Sequence, residues 1–313
     1  MALARGERLA APRVRSGTHG GMSRTIDRVW PWLALGPSIL LFLVLTLLPV
    51  ANLLAMSFHE VTWQQGRAVW SSVGTAHYAA LTTDPLFGAG VINTVIFAVF
   101  AVGIQMLLGF ALALLTSRVF HGRVIYRTIF VLPILVPGIV IGAMWKLMYN
   151  FDFGIINKAI GLFGFLPRDF LGERSLALAS VIVVDIWHWT PFCFLLLLAG
   201  IESLPRDVFE AAQIDGASWW TEMRYVTLPL MMPTIVVTLI FRGIVAFKVF
   251  DEVFLLTGGG PGTATEVASF SIYRRFFTED RVGYGSAMSV VTLFGLALLV
   301  ILSQGAAQRI RRS

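Results

Sequence analysis

The sequence predicts an all-α membrane protein that crosses the bilayer six times, and three observations carry that prediction. Apolar residues fill 57% of the 313 positions and charged residues only 13%, about half the charge of an ordinary water-soluble domain. Mean hydropathy is +0.77. Six separate segments are apolar over the roughly 20 residues that a helix needs to cross about 30 Å of hydrocarbon. A water-soluble enzyme is excluded at once.

The spans follow in order. Trp32 to Ser57 comes after a basic stretch, as a secretory leader would, but it is too long for an h-region and reads as an uncleaved span. Gly90 to Ser117 is the second, and Thr128 to Tyr149 the third. Leu176 to Gly200, Pro229 to Glu252 and Tyr284 to Gln304 complete the set. Many prolines and glycines interrupt these runs: Gly36-Pro37, Pro49, Pro133, Pro137-Gly138, Pro191 and Pro233. Broken membrane helices survive where the freed backbone groups face protein or a water-filled cavity, so a mere anchor has little use for them. The domain reading is therefore a basic tail over 1–31, a six-helix domain over 32–304 and a basic tail over 305–313. Loops near 58–88, 150–175 and 253–283 are long enough for short helices, and neither a further domain nor an internal repeat is visible.

Charge orients the chain. With both termini inside, fourteen Lys and Arg fall in cytoplasmic segments and seven in outer loops, which is the bias of cytoplasmic termini. The net charge of +6 is spread over short flanks. Arg118, Arg123 and Arg127 therefore suit anionic lipid rather than nucleic acid. Cys193 is the single cysteine, so neither a disulfide framework nor a Cys-based zinc site forms within the chain. His19, His59, His77, His121 and His188 are scattered without ligand spacing, so no metal is expected. No Ser, His and Asp arrangement has motif support.

The stretch 201–228 cannot span, because Glu202, Arg206, Asp207, Glu210, Asp215, Glu222 and Arg224 would each cost about 2.5–3.5 kcal/mol near a bilayer centre. It reads as a short surface helix. Pro205 suits its first turn, Asp207 and Glu210 lie near its positive end, and Gly216 suits its left-handed stop. Val208, Ala211, Ala212 and Asp215 share one face. Small side chains let a partner approach, and the carboxylates offer bonds to its basic groups. The competing reading is an interfacial amphipathic helix, but those are usually basic on the polar face, and this loop is acidic.

The run Glu210-Ala211-Ala212, three residues, Gly216-Ala217, then Val226 and Leu228-Pro229 resembles the cytoplasmic coupling motif of binding-protein-dependent ABC importer permeases. Trp189-Thr190-Pro191-Phe192, Phe250-Asp251 and Leu256-Thr257-Gly258-Gly259-Gly260-Pro261-Gly262 extend the likeness to maltose-, glycerol-phosphate- and trehalose-type sugar permeases, over roughly residues 30 to 305. The resemblance implies the type I importer permease fold in a bacterial inner membrane. It implies a coupling helix that docks on a cytoplasmic ATPase, a second permease chain, two ATPase subunits and an extracytoplasmic solute-binding protein. ATP and Mg would then be held by the partner subunits, and this chain binds no cofactor of its own. It also lacks Gly-x-x-x-x-Gly-Lys-Ser/Thr, so the Gly258–Gly262 run reads as an outer turn.

Charges inside spans mark the candidate solute path. Asp185 lies nine residues below the outer start of span four and Arg242 ten below the outer end of span five. At 1.5 Å per residue their depths agree within about one turn. They either pair to neutralise each other or serve the solute. Lys248, Asp251 and Glu252 have i,i+3 and i,i+4 spacing and are expected to pair along one helix, whereas Lys146 is expected to snorkel to the interface. Trp187, His188 and Trp189 offer rings and an imidazole beside Asp185, which suit a sugar's apolar face and hydroxyls, or else packing and the aromatic belt. Asn93 and Gln105 are further candidates. Two other functions stay open: an importer of an anionic sugar derivative, using Arg242 or Lys248, and an ion-coupled secondary carrier with Asp185 as its ion site.

Overall fold

Proline and glycine decide where the predicted spans remain straight. The computed structural model describes residues 22–117 and 122–310. The tail over 1–21, Arg118 and the final Arg311 and Arg312 lie outside them. The chain divides into a unit ending at Asn52 and a unit from Leu53 to Ser313. Helix α1 (Met22–Ser57) fills the described part of the first and continues into the second. Its leucines between positions 35 and 48 are exposed, including Leu40, Leu45 and Leu48, as lipid contact requires.

The second unit opens with a hairpin, β1 (His59–Gln64) and β2 (Arg67–Ser72), where helices alone were expected. Gln65 and Gly66 both have positive φ, 50° and 77°, the I′ turn that matches strand twist. Val61 is buried opposite Trp70. Then come α2 (Ala76–Leu81), α3 (Pro85–Ser117), α4 (Arg123–Val131), a 3₁₀ turn (Leu132–Leu135), α5 (Gly138–Met148) and α6 (Ile155–Leu162). The expected third span, interrupted at Pro133 and Pro137-Gly138, is thus two arms bent by 94°. Pro137 forbids Val136 the helical region, and Val136 is extended at φ −85°, ψ 127°.

Helix α7 (Arg174–Glu202) stays continuous through Pro191. Helix α8 (Arg206–Ile214) follows, then α9 (Trp219–Glu222), a π-helical turn (Met223–Thr227) and α10 (Leu228–Phe247). The fifth span therefore starts ten residues before Pro229, continuous through the π-helical turn. The span runs on to Leu256, but Lys248 to Phe250 break the helix within it, and α11 (Asp251–Leu256) starts anew. Helix α12 (Ala268–Tyr273), a second π-helical turn (Arg274–Thr278) and α13 (Val282–Ile310) complete the chain. Among the described residues five helices are long and apolar enough to cross a membrane, or six if the bent pair is one span.

The main core lies between α3 and α7, where Phe97, Ala98, Ala101 and Val102 meet Val181, Ile182 and Val184, with Ile141 of α5 and Val253 of α11 closing its sides. A second cluster joins Ala113, Cys193, Phe194, Leu197, Leu198 and Met231. Small side chains on α3 let the helices approach, since lipid supplies no hydrophobic drive between them.

Asp84 fastens the N-terminal ends of α3 and α13. Its carboxylate accepts the backbone N–H groups of Leu86 and Phe87 at 2.9 and 3.2 Å and the Tyr284 hydroxyl at 2.7 Å, with Arg275 at 3.4 Å. Burial alone raises its pKa, but those hydrogen bonds and the guanidinium together carry it below its ordinary value. Its contribution is therefore complete above the ordinary value of 3.8 and is lost as pH falls through the lower folded value. Asp84→Ala should cost about 1–3 kcal/mol and Tyr284→Phe about 1, read as a fall in thermal unfolding midpoint in detergent.

Candidate functional site: a loop helix and a polar cavity

The loop helix α8 forms from a short sequence with strong ends. Pro205 caps its start in an extended conformation, and Asp207 occupies the first turn, favourable to the helix dipole. At the far end Gly216 is left-handed at φ +74°. Its N–H donates to Gln213 O at 3.1 Å, and Ala217 N–H donates to Ala212 O at 2.9 Å. That pair of bonds is the Schellman closure. A Cβ at Gly216 would meet nothing within 4 Å of the chain, so the constraint there is the turn itself, and the space beside it is open. No α8 residue is buried, and Ile214 is 85% exposed. Glu210, Ala211 and Asp215 are exposed and Ala212 half-buried. Leu228 and Pro229 open α10 beyond the π-helical turn.

The second feature is a cavity of about 410 Å³ whose walls come from four places. Ile134, Pro137 and Gly138 belong to the break between α4 and α5. Asp185, His188 and Trp189 come from α7, Arg242 from α10, and Lys248, Asp251 and Glu252 from the break that follows α10 and the start of α11.

Asp185 and Arg242 pair across α7 and α10, at 2% and 0% exposure. Gln105 of α3 joins them, donating its amide to Asp185 Oδ2 and to the Asp185 carbonyl, both at 2.8 Å. Its own carbonyl accepts Arg242 Nε at 2.7 Å. The guanidinium carbon lies 5.0 Å from the Trp189 ring centroid, a cation–π contact strengthened by desolvation. One guanidinium nitrogen, Nη1, has no acceptor among the described residues.

Glu252 does not pair with Lys248. It faces His188, whose Nδ1 donates to Glu252 Oε1 at 3.2 Å. The i,i+4 arrangement fails because Lys248 ends one helix and Glu252 lies in the next, so the helical spacing does not run between them. Lys248 is exposed and has no ion-pair partner among the described residues. Asp251 packs against Gly138.

Besides Gln105, which meets the cavity only through Asp185 and Arg242, two candidates fall outside it. Trp187 stands edge-on to Trp145 at 5.7 Å. At 100° per residue it points away from the face that carries Asp185, His188 and Trp189. Asn93 donates its amide to the carbonyls of Thr263 and Glu266, both at 2.9 Å, and so braces the glycine-rich turn that begins at Gly258. Inside that turn, burial pushes the Glu266 carboxyl above its ordinary value, opposed by the Ser271 hydroxyl and Arg274. The role of Gly138 and its neighbours as cavity wall was missed, although Pro137-Gly138 signalled the break.

A buried three-helix charge network, a broken third span and an exposed loop helix together agree with the sequence relationship. A family model described as binding-protein-dependent transport system inner membrane component matches residues 105–312. The chain belongs to this family. The permease is 36% identical over 262 residues to the trehalose/maltose transport system permease protein MalF of Thermococcus litoralis, covering 83% of this chain and 88% of the relative. It is 32% identical over 274 residues to the sulfoquinovosyl glycerol transport system permease protein SmoG of Agrobacterium fabrum, covering 88% of each. Its fold is that of a type I ABC importer permease. A chain in the crystal structure of a bacterial ABC transporter that imports the acidic polysaccharide alginate superposes with a TM-score of 0.80 at 25% identity, covering 92% of this permease and 99% of that chain.

The buried pair yields a double-mutant test. Asp185→Ala alone should destabilise the permease by about 3–5 kcal/mol by stranding the Arg242 charge, whereas Asp185→Leu combined with Arg242→Met should recover most of that loss. Thermal unfolding of the native permease and the two variants in detergent checks it.

Proposed function

We propose that this permease is one of two membrane subunits of an ATP-driven importer for a sugar or sugar-like solute. Both termini and α8 face the cytoplasm in this reading, which the excess of Lys and Arg on that side supports. The observation that carries it is α8. It is an acidic helix with a small-residue face, closed at Gly216, and none of its residues is buried by the described residues. Such a helix is built to seat in a partner's groove. The partner is a cytoplasmic ATPase subunit, which holds ATP and Mg and performs the hydrolysis. A second permease chain, a second ATPase and an extracytoplasmic solute-binding protein complete the complex.

The solute passes by the cavity and undergoes no chemistry. Trp189 offers an aromatic face, and Asp185, His188, Arg242 and Glu252 offer bonds to hydroxyls, the mixture that carbohydrate recognition uses. The named relatives carry trehalose, maltose or a sulfoquinovosyl glycerol. A second reading, an anionic sugar derivative, is favoured by Lys248 and by the free Nη1 of Arg242. Asp185 makes a poor coupling-ion site, since Arg242 and Gln105 already engage its carboxylate.

Two measurements test the proposal in the assembled complex in proteoliposomes. Uptake of maltose, trehalose, sulfoquinovosyl glycerol and an alginate oligosaccharide should require ATP, the ATPases and the binding protein, and uptake by the permease alone on an ion gradient would sink it. Gly216→Val forces a β-branched residue into the left-handed region at about 1–2 kcal/mol. It should lower ATP-driven uptake roughly tenfold without loss of membrane insertion. Lys248→Gln should reduce uptake of the anionic solutes selectively if the second reading holds.

A further inference from the structure

The bent third span is attached at both ends, and its two attachments lie at the two features just described. On α4, Arg127, Phe130 and Val131 have i, i+3, i+4 spacing and share the inward face. Arg127 forms an ion pair with Glu202, the last residue of α7, four positions before α8 begins. Phe130 stands edge-on to Phe194 of α7 at 5.8 Å, and Phe130 and Val131 pack on the cluster of Phe194, Leu197 and Leu198. One arm is thus pinned by charge and by packing to the root of the loop helix.

The other arm, α5, meets α11. A Cβ at Gly142 would lie 2.6 Å from Leu255 Cβ, and one at Gly138 would lie 3.0 Å from Asp251 Oδ2. The two helices are therefore as close as backbone allows. Helix α11 carries Asp251 and Glu252 to the cavity, while Ile134, Pro137 and Gly138, at the bend itself, form part of its wall.

We infer that the bent span is a crank that transmits displacement of the loop helix to the cavity wall, with the Arg127–Glu202 pair as its cytoplasmic attachment. Both are positioning residues. The inference rests on the importer reading. Its physical content is that short packed helices move as units, so a shift at Glu202 cannot be absorbed within α4 and emerges at the bend. The exposed face of α4, with Val124, Ile125 and Ile129, is left free to slide along lipid as the arm moves.

A reporter cysteine in the cavity wall tests this without knowledge of the solute. In the assembled complex carrying Ile134→Cys, the rate of labelling by a small maleimide is measured with no nucleotide and with ATP plus vanadate. The native Cys193 is buried and gives a low background. The labelling rate should depend on nucleotide with native Arg127 and Glu202. Arg127→Glu and Glu202→Arg should each shrink that dependence by about fivefold or more, the double reversal should restore most of it, and Arg127→Lys should retain it. Single reversals with undiminished dependence overturn the inference, as does a loss that the double reversal fails to repair. Glu202→Gln, which removes the charge without reversing it, serves the same decision if a reversal prevents assembly. Labelling that ignores nucleotide with the native pair, despite full assembly, overturns the importer reading and the crank together.

Discussion

Hydrocarbon offers no partner to a charge or a backbone polar group, so every such group within the spans must find one inside the protein. Arg242 shows how far this requirement reaches. One fully buried guanidinium takes a carboxylate from α7, an amide from α3 and an aromatic face from α7. Three spans are thereby fixed in register at one depth. The neighbouring pair of His188 and Glu252 is governed by the same need. A cavity lined by these groups is polar where the surrounding lipid is not, so the polar space and the charge network that fixes the spans occupy the same place.

The breaks in the helices obey that constraint as well. At Pro137 the break forms part of the cavity wall, and ahead of Pro229 the chain passes through a π-helical turn in which Leu228 N–H donates to Met223 O. Between Phe247 and Asp251 the chain leaves one helix and starts another, directing Asp251 and Glu252 to the cavity. Continuous helices could bury the same apolar surface. They could not bring side chains from the bend, α7, α10 and α11 to one polar space, nor give the third span two arms with separate attachments.

Features governed by local geometry were legible in the residues. The α8 helix and its left-handed stop depend on groups within six residues of one another, and the motif around Glu210 and Gly216 places them. The depth match of Asp185 and Arg242 follows from a constant helical rise. Trp187 could have been separated from Trp189 by its 100° rotation, had the cavity's direction been known. Asn93 could not, because its acceptors lie about 170 residues away. The assignment of Glu252 to Lys248 failed since it assumed that the helix continued past Phe247.

Composition, periodicity and the motif of the loop by themselves determined the membrane fold, the number of apolar segments, the exposed acidic helix and the family resemblance, since each rests on neighbours in sequence or on totals over it. Tertiary structure alone decided the 94° bend, the hairpin's packing, the partners of Glu252 and Glu202 and the composition of the cavity wall. Those outcomes depend on which distant groups compete for the same buried acceptor or the same gap between helices. That competition is settled only when the helices are packed together.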